Sequence, residues 1–189
     1  MTPSPLMSWL LFRPTLYWTL LKTRVLKVEK HWTEIDETLI LGALPQRQEL
    51  SQFTDLRVGG IINMCAEWNG HASGYAESGI ELLHLPTPDF ASPDIGAVRD
   101  GVAFIDRFRS SGKRVYCHCK AGRGRSATIA LAWLIHSQAL TPEAAEQHLI
   151  GCRPQINRRL ASRAAIVEFS ARTTAVESGG TALDDPAVF

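Results

Sequence analysis

Acidic residues are missing from two long stretches of this chain: residues 1–28, and the segment between Asp106 and Glu143. Elsewhere they balance the basic ones, 19 against 20, for a formal net charge of +1. A chain so nearly neutral has no global field to draw a polyanion, so no nucleic-acid partner is expected. Cysteine is scarce too. Cys65, Cys117, Cys119 and Cys152 show no spacing that would build a disulfide framework. Cys117 and Cys119 stand too close together for the usual zinc chelate. No metal or other cofactor is expected, and a reducing compartment is. Long apolar runs are also lacking. The run over residues 6–12 stops at Arg13-Pro14, well short of the roughly 20 residues that span a bilayer. It has neither a basic leader before it nor a clear small-residue cleavage site after it, so a secretory signal is not expected.

What the chain does have is 189 residues, 45% hydrophobic and 21% charged, enough for one domain with a proper core. Residues 1–30 stand apart as a basic, apolar segment in which Arg13, Lys22, Arg24 and Lys27 alternate with Trp, Tyr and Leu. That composition fits a helix lying on a membrane surface or an organelle presequence; the alternative is a helix packed on the core. In a eukaryote it would point to mitochondria, in a bacterium to the inner face of the cytoplasmic membrane. Residues 31–172 form the expected domain. Strands are predicted at residues 31–42, 58–64, 80–85 and 113–118. Helices are predicted at 46–56, from a start at Ser92-Pro93-Asp94 to about 110, at 126–136, from Thr141-Pro142-Glu143, and around Leu160 to Ala171. Ser92 reads as the cap of the second helix. Strands alternating with helices predict an α/β fold, a mostly parallel central sheet with helices on both faces. Residues 173–189 have no periodicity and read as a disordered tail.

The chemistry is concentrated in Val115-Tyr116-Cys117-His118-Cys119-Lys120-Ala121-Gly122-Arg123-Gly124-Arg125-Ser126. A strand runs into a tight glycine-bearing loop and then into a helix N-terminus. Such a loop turns successive N–H groups inward and cradles an anion. Lys120, Ala121, Gly122, Arg123, Gly124 and Arg125 are the candidate phosphate-binding residues, Gly122 and Gly124 giving the backbone its freedom. Arg125 can return beside Cys119 and grip two phosphate oxygens in a fork. Among N–H dipoles and a fixed cation, the Cys119 thiol should ionise below about 8.5 and act as a nucleophile. Ser126 is placed to donate a hydrogen bond to the sulfur as it departs. His118 precedes the nucleophile on a strand, points away from it, and is read as a support for the loop.

His118-Cys119, Gly122 and Arg125-Ser126 match the H-C-x2-G-x2-R-[ST] signature, and the chain resembles the protein tyrosine and dual-specificity phosphatase superfamily. The resemblance implies that superfamily's fold and a phosphocysteine intermediate. It also implies a general acid about thirty residues before the cysteine. Asp89, in Pro86-Thr87-Pro88-Asp89-Phe90, occupies that place; Asp94 is the second candidate. Over residues 31–170, His31-Trp32-Thr33-Glu34-Ile35-Asp36, Leu41-Gly42-Ala43-Leu44-Pro45, the Asn63-to-Trp68 segment with Glu67 and the Cys119 loop are similar to the mitochondrial dual-specificity phosphatases that act on phosphatidylglycerophosphate in cardiolipin synthesis. Gly124 departs from that pattern, which has serine there. Lys120 and Arg123 would suit a multiply charged lipid headgroup, unless they face solvent. Three readings follow: a phospholipid phosphatase, a phosphatase of phosphotyrosine, phosphoserine and phosphothreonine in proteins, and a phosphate-recognising module without turnover.

Overall fold

The computed structural model of the protein describes residues 5–178. The strands β1 (Trp32–Glu34), β2 (Leu39–Gly42), β3 (Val58–Cys65), β4 (Glu81–Thr87) and β5 (Arg114–His118) form one sheet in the order β1-β2-β5-β3-β4. β1 runs antiparallel to β2, and the rest are parallel. This is the mostly parallel sheet expected. β3 is an apolar run buried along its whole length, as a strand covered on both faces must be.

Period-two alternation divides the core. On β5, Val115 and Cys117 face the larger cluster, while Tyr116 faces the smaller one. The larger cluster is closed by α4 (Ile95–Arg109), α5 (Arg125–Gln138), α6 (Pro142–Cys152) and α7 (Ala164–Ser178). Its centre is α5, whose residues from Arg125 to Ile135 are all buried. The smaller cluster lies under α2 (Leu50–Asp55) and α3 (Ala72–Glu77), which supply Phe53 and Tyr75 against Ile40, Ile61 and Tyr116. Burial of side chains this size stabilises each by about 1.5–3 kcal/mol.

Several expectations need correction. Residues 31–42 form a hairpin, not one strand. Asp36 breaks the run: its Oδ1 accepts the N–H groups of Thr38 and Leu39 at 2.8 and 2.7 Å, and its Oδ2 accepts Trp133 Nε1 at 2.6 Å. Asp94, not Ser92, caps α4, accepting the Ala97 N–H at 2.8 Å; Ser92 and Pro93 precede the helix. The helix at residues 72–77 has too few periodic positions to be predicted. α7 continues to Ser178, beyond the expected domain end at 172, and residues 179–189 of the expected tail lie outside the described residues.

The N-terminal segment is helical. α1 (Pro5–Leu20) continues into a π-helical turn, Leu21–Val25. Phe12 is buried in the larger core, with Leu16 packed against it. Tyr17, Trp18, Leu21, Val25, Leu26 and Val28 are exposed. Among the described residues, no helix is long and apolar enough to cross a membrane.

Candidate active site

β5 delivers the chain to the loop at residues 119–124, and α5 carries it away from Arg125. Every carbonyl of this loop has a donor. The Lys120 carbonyl accepts the Leu44 N–H at 3.2 Å, and the Arg123 carbonyl the Asn157 N–H at 2.8 Å. The carbonyls of Ala121 and Gly122 accept from the Arg153 guanidinium at 3.2 and 2.9 Å. The Gly124 carbonyl accepts from Arg163 Nη1 and the Thr128 N–H, and His118 Nδ1 lies 3.3 Å from the Cys119 carbonyl. A trans peptide points its N–H opposite its C=O, so these partners hold the carbonyls apart from the anion-binding N–H groups.

Gly122 has φ +66°, and a Cβ there would come within 2.4 Å of the Gly42 carbonyl. Gly124 is not held to glycine by its backbone. Its φ is −124°, but a Cβ would meet Asn157 Nδ2 at 2.8 Å.

Cys119 is 4% exposed. Burial alone would raise its pKa. The Arg125 charge, the hydroxyl and N–H of Ser126 and the N–H of Arg123 outweigh burial and lower it from 9.0 to about 6. Ser126 Oγ donates to Sγ at 3.3 Å. Burial raises both neighbouring thiols, Cys65 in spite of the Arg125 charge and Cys117 with the Cys119 charge adding to the effect. Cys119 alone among these three is a thiolate at neutral pH. All four cysteines are free thiols.

Arg125 is held from two loops. Its Nη1 donates to Glu67 Oε2 at 2.9 Å and to the Thr87 carbonyl at 2.7 Å. Its Nη2 donates to Asp89 Oδ1 at 3.0 Å. Burial opposes its charge, but the thiolate of Cys119, with Cys65, Asp89 and Glu67, keeps its pKa above the ordinary value. Asp89 also pairs with Lys120 Nζ, and its backbone N–H donates to Glu67 Oε1 at 2.6 Å. The sequence-predicted Asp89, Lys120, Cys119, Arg125 and Ser126 thus meet in one place. Asp94 is engaged as a helix cap. Phe90, beside Asp89, is in the left-handed region at φ 66°, strain of the kind that collects at functional loops.

Lys120 does not face solvent. It is 6% exposed, donates to Thr15 Oγ1 at 2.7 Å, and lies over the rings of Phe12 and Phe90 at 5.7 and 5.2 Å. The Arg123 side chain turns to Glu29. His118 is fully buried beside Trp68 and Tyr116, and burial lowers its pKa to about 3, so it stays neutral. Its Nδ1 lies 3.3 Å from the Cys119 carbonyl, at the start of the loop.

Sequence reasoning gave no site role to Glu67, Arg153, Thr15 or Glu29. Glu67 had one signal: it lies in a loop shaped by Asn63, whose Oδ1 accepts the Cys65 N–H and whose Nδ2 donates to the Trp68 carbonyl.

The fold and this loop define a cysteine-dependent phosphatase. Residues 39–172 match the dual specificity phosphatase catalytic domain, and the chain belongs to that family. It is 35% identical over 164 residues to the phosphatidylglycerophosphate phosphatase PTPMT2 of Arabidopsis thaliana, covering 85% of this chain and 72% of that protein. It is 36% identical over 174 residues to the human phosphatidylglycerophosphatase and protein-tyrosine phosphatase 1, covering 87% of each. Among solved structures it resembles PTPMT1 in complex with PI(5)P, with a TM-score of 0.72 and 31% identity over 77% of this chain and 98% of that one.

Proposed function

We propose that the protein hydrolyses the phosphomonoester of a membrane phospholipid, phosphatidylglycerophosphate or one of similar charge, through a phosphocysteine. The Cys119 thiolate attacks phosphorus, the P–O bond to the leaving alcohol breaks, and Asp89 gives that oxygen a proton. Phosphate arriving on Arg125 takes over Nη2, releasing the Asp89 carboxyl toward the leaving group. Charge on the transferring oxygens is met by the loop N–H groups and Arg125. Water then attacks phosphorus while Asp89 takes its proton. The P–S bond breaks, and the Ser126 hydroxyl stabilises the returning thiolate.

The observation that carries the lipid reading is a juxtaposition. The segment exposing Tyr17, Trp18, Val25, Leu26 and Val28 is the one whose Thr15 and Glu29 touch the loop cations Lys120 and Arg123. Arg13, Lys27 and Lys30 are exposed on the same segment, and its Glu29 is neutralised by Lys22 and Arg123. Aromatic and aliphatic side chains with free cations suit the surface of an anionic bilayer. Lys120 and Arg123 would exchange Asp89 and Glu29 for the headgroup's further negative charges. The names of the Arabidopsis and human relatives support the same substrate.

The deciding measurement compares kcat/KM on phosphatidylglycerophosphate in vesicles, phosphoinositides in vesicles and phosphotyrosine peptides. Faster turnover of the lipids is expected. Faster turnover of peptides would favour the protein-phosphatase reading, which the human relative's double name keeps in view. No release of phosphate from any ester, aryl phosphates included, would leave only phosphate recognition.

A further inference from the structure

Arg153 is completely buried, yet among the described residues no carboxylate forms an ion pair with it. Every hydrogen bond of its guanidinium goes to a neutral oxygen. Nε donates to the Gly122 carbonyl at 2.9 Å, and Nη2 to the carbonyls of Ala121 at 3.2 Å and His31 at 3.3 Å. Nη1 donates to the Lys30 carbonyl at 3.0 Å and Thr33 Oγ1 at 3.1 Å. Burying a cation without a direct ion pair is costly: burial lowers the Arg153 pKa to about 10, outweighing the more distant charges of Cys119 and Glu29. A leucine or methionine would fill such a place more cheaply if packing were the whole purpose.

The contacts with Ala121 and Gly122 indicate what the cation does. These carbonyls belong to the two peptide units whose N–H groups are those of Gly122 and Arg123. The Arg123 N–H is one of the groups that hydrogen-bond the Cys119 sulfur. A donor on a carbonyl both fixes its peptide plane and polarises the N–H on the other side. A planar fork can hold two successive carbonyls at once, which the single ammonium of lysine cannot. The remaining contacts fasten this fork to residues 30–33, at the start of the sheet.

We propose that Arg153 is a positioning residue for the phosphatase reaction, gripping the Ala121 and Gly122 carbonyls from behind the loop so that the N–H groups of Gly122 and Arg123 aim at the sulfur and its bound phosphate. This rests on Cys119 being the nucleophile, and acts from α6's C-terminal end, outside the signature loop itself.

The test compares Arg153→Lys and Arg153→Met with the unsubstituted enzyme and with Cys119→Ser. The readouts are thiol titration by pH-dependent alkylation, tungstate affinity and kcat/KM on an aryl phosphate. In Arg153→Met the thiol midpoint should rise by about one unit, tungstate should bind about tenfold more weakly, and kcat/KM should fall roughly a hundredfold. Arg153→Lys, which keeps the charge and loses the fork, should lie between. A folded Arg153→Met with unchanged thiol midpoint and tungstate affinity overturns the proposal, whatever its melting temperature. Should neither variant fold, hydrogen exchange at Arg153 Nε in the unsubstituted protein decides. Saturating tungstate should slow it at least severalfold by tightening the loop on the guanidinium, and no change would count against the proposal. Activity retained in Cys119→Ser would instead overturn the nucleophile assignment on which this rests.

Discussion

Glu67 and Arg125 meet at 2.9 Å with each side chain 3% exposed, and the other oxygen of Glu67 holds the Asp89 N–H at 2.6 Å. One carboxylate thereby sets both the cation that grips phosphate and the loop that carries the acid. Glu67→Gln preserves the shape and removes the charge, leaving Arg125 with Asp89 and the Thr87 carbonyl. The unfolding free energy should fall by about 2–4 kcal/mol, toward the lower end of what breaking a buried ion pair costs. Because a small displacement of Arg125 misplaces the phosphate, kcat/KM on an aryl phosphate should drop ten- to a hundredfold. Denaturant melts with steady-state kinetics check both. A Glu67→Gln enzyme with unchanged kinetics would remove Glu67 from the site.

Asp89 is the second handle. Asp89→Asn can still accept a hydrogen bond from Arg125, but it cannot hand over a proton. Hydrolysis of an alkyl phosphate should fall roughly a thousandfold, within the usual range for general acid catalysis. Hydrolysis of a nitrophenyl phosphate, whose leaving group departs without help, should fall much less. Equal losses on the two esters would assign the acid elsewhere.

These two residues also mark the limits of the sequence. That Asp89 would lie near Cys119 was expected from the resemblance and its flanking prolines, and that Cys119, Gly122, Arg125 and Ser126 would lie together from their sharing one loop. Glu67 was not, since it reaches Arg125 only when β3 lies beside β5, a pairing no local pattern specifies. Arg153 was hidden for the same reason: its acceptors come from residues 30–33 and 121–122. The sheet was readable from alternating strands and helices, but the hairpin at Asp36 was not, because a single side chain bonding its own backbone overrode an extended pattern. Lys120 was ambiguous in sequence, and its partner Thr15 lies on a helix whose docking depended on burying Phe12.

The exposed face of the N-terminal segment makes a separable prediction. Trp18 is 57% and Leu26 54% exposed, so both can be changed with little effect on the core. If they enter a bilayer, Trp18→Ala and Leu26→Ala should each weaken sedimentation with anionic vesicles about tenfold, the equivalent of roughly 1.4 kcal/mol of lost burial. Turnover of a vesicle-borne lipid should fall in parallel. A loss of the same size on a water-soluble aryl phosphate would trace the effect to the fold and not to the membrane.

The charge on Cys119 ties activity and stability to pH. The thiolate is the reactive form, so alkylation should rise with pH through a midpoint of about 6 and be lost below it. Ser126→Ala removes the donor to Sγ and should move that midpoint upward. The same ionisation appears in folding. The native thiol titrates at about 6 and a free one at 9.0, so between these values the unfolded chain binds the extra proton. This group therefore contributes stability that is complete above pH 9, declines as the pH falls, and is gone below about pH 6. Across that window it adds a slope of about 1.4 kcal/mol per pH unit. Cys119→Ser cannot ionise there, so its unfolding free energy should gain less than the wild type's between pH 6 and 9. Parallel curves for the two proteins would mean that the sulfur is not charged in the folded state, and the nucleophile would have to be sought elsewhere.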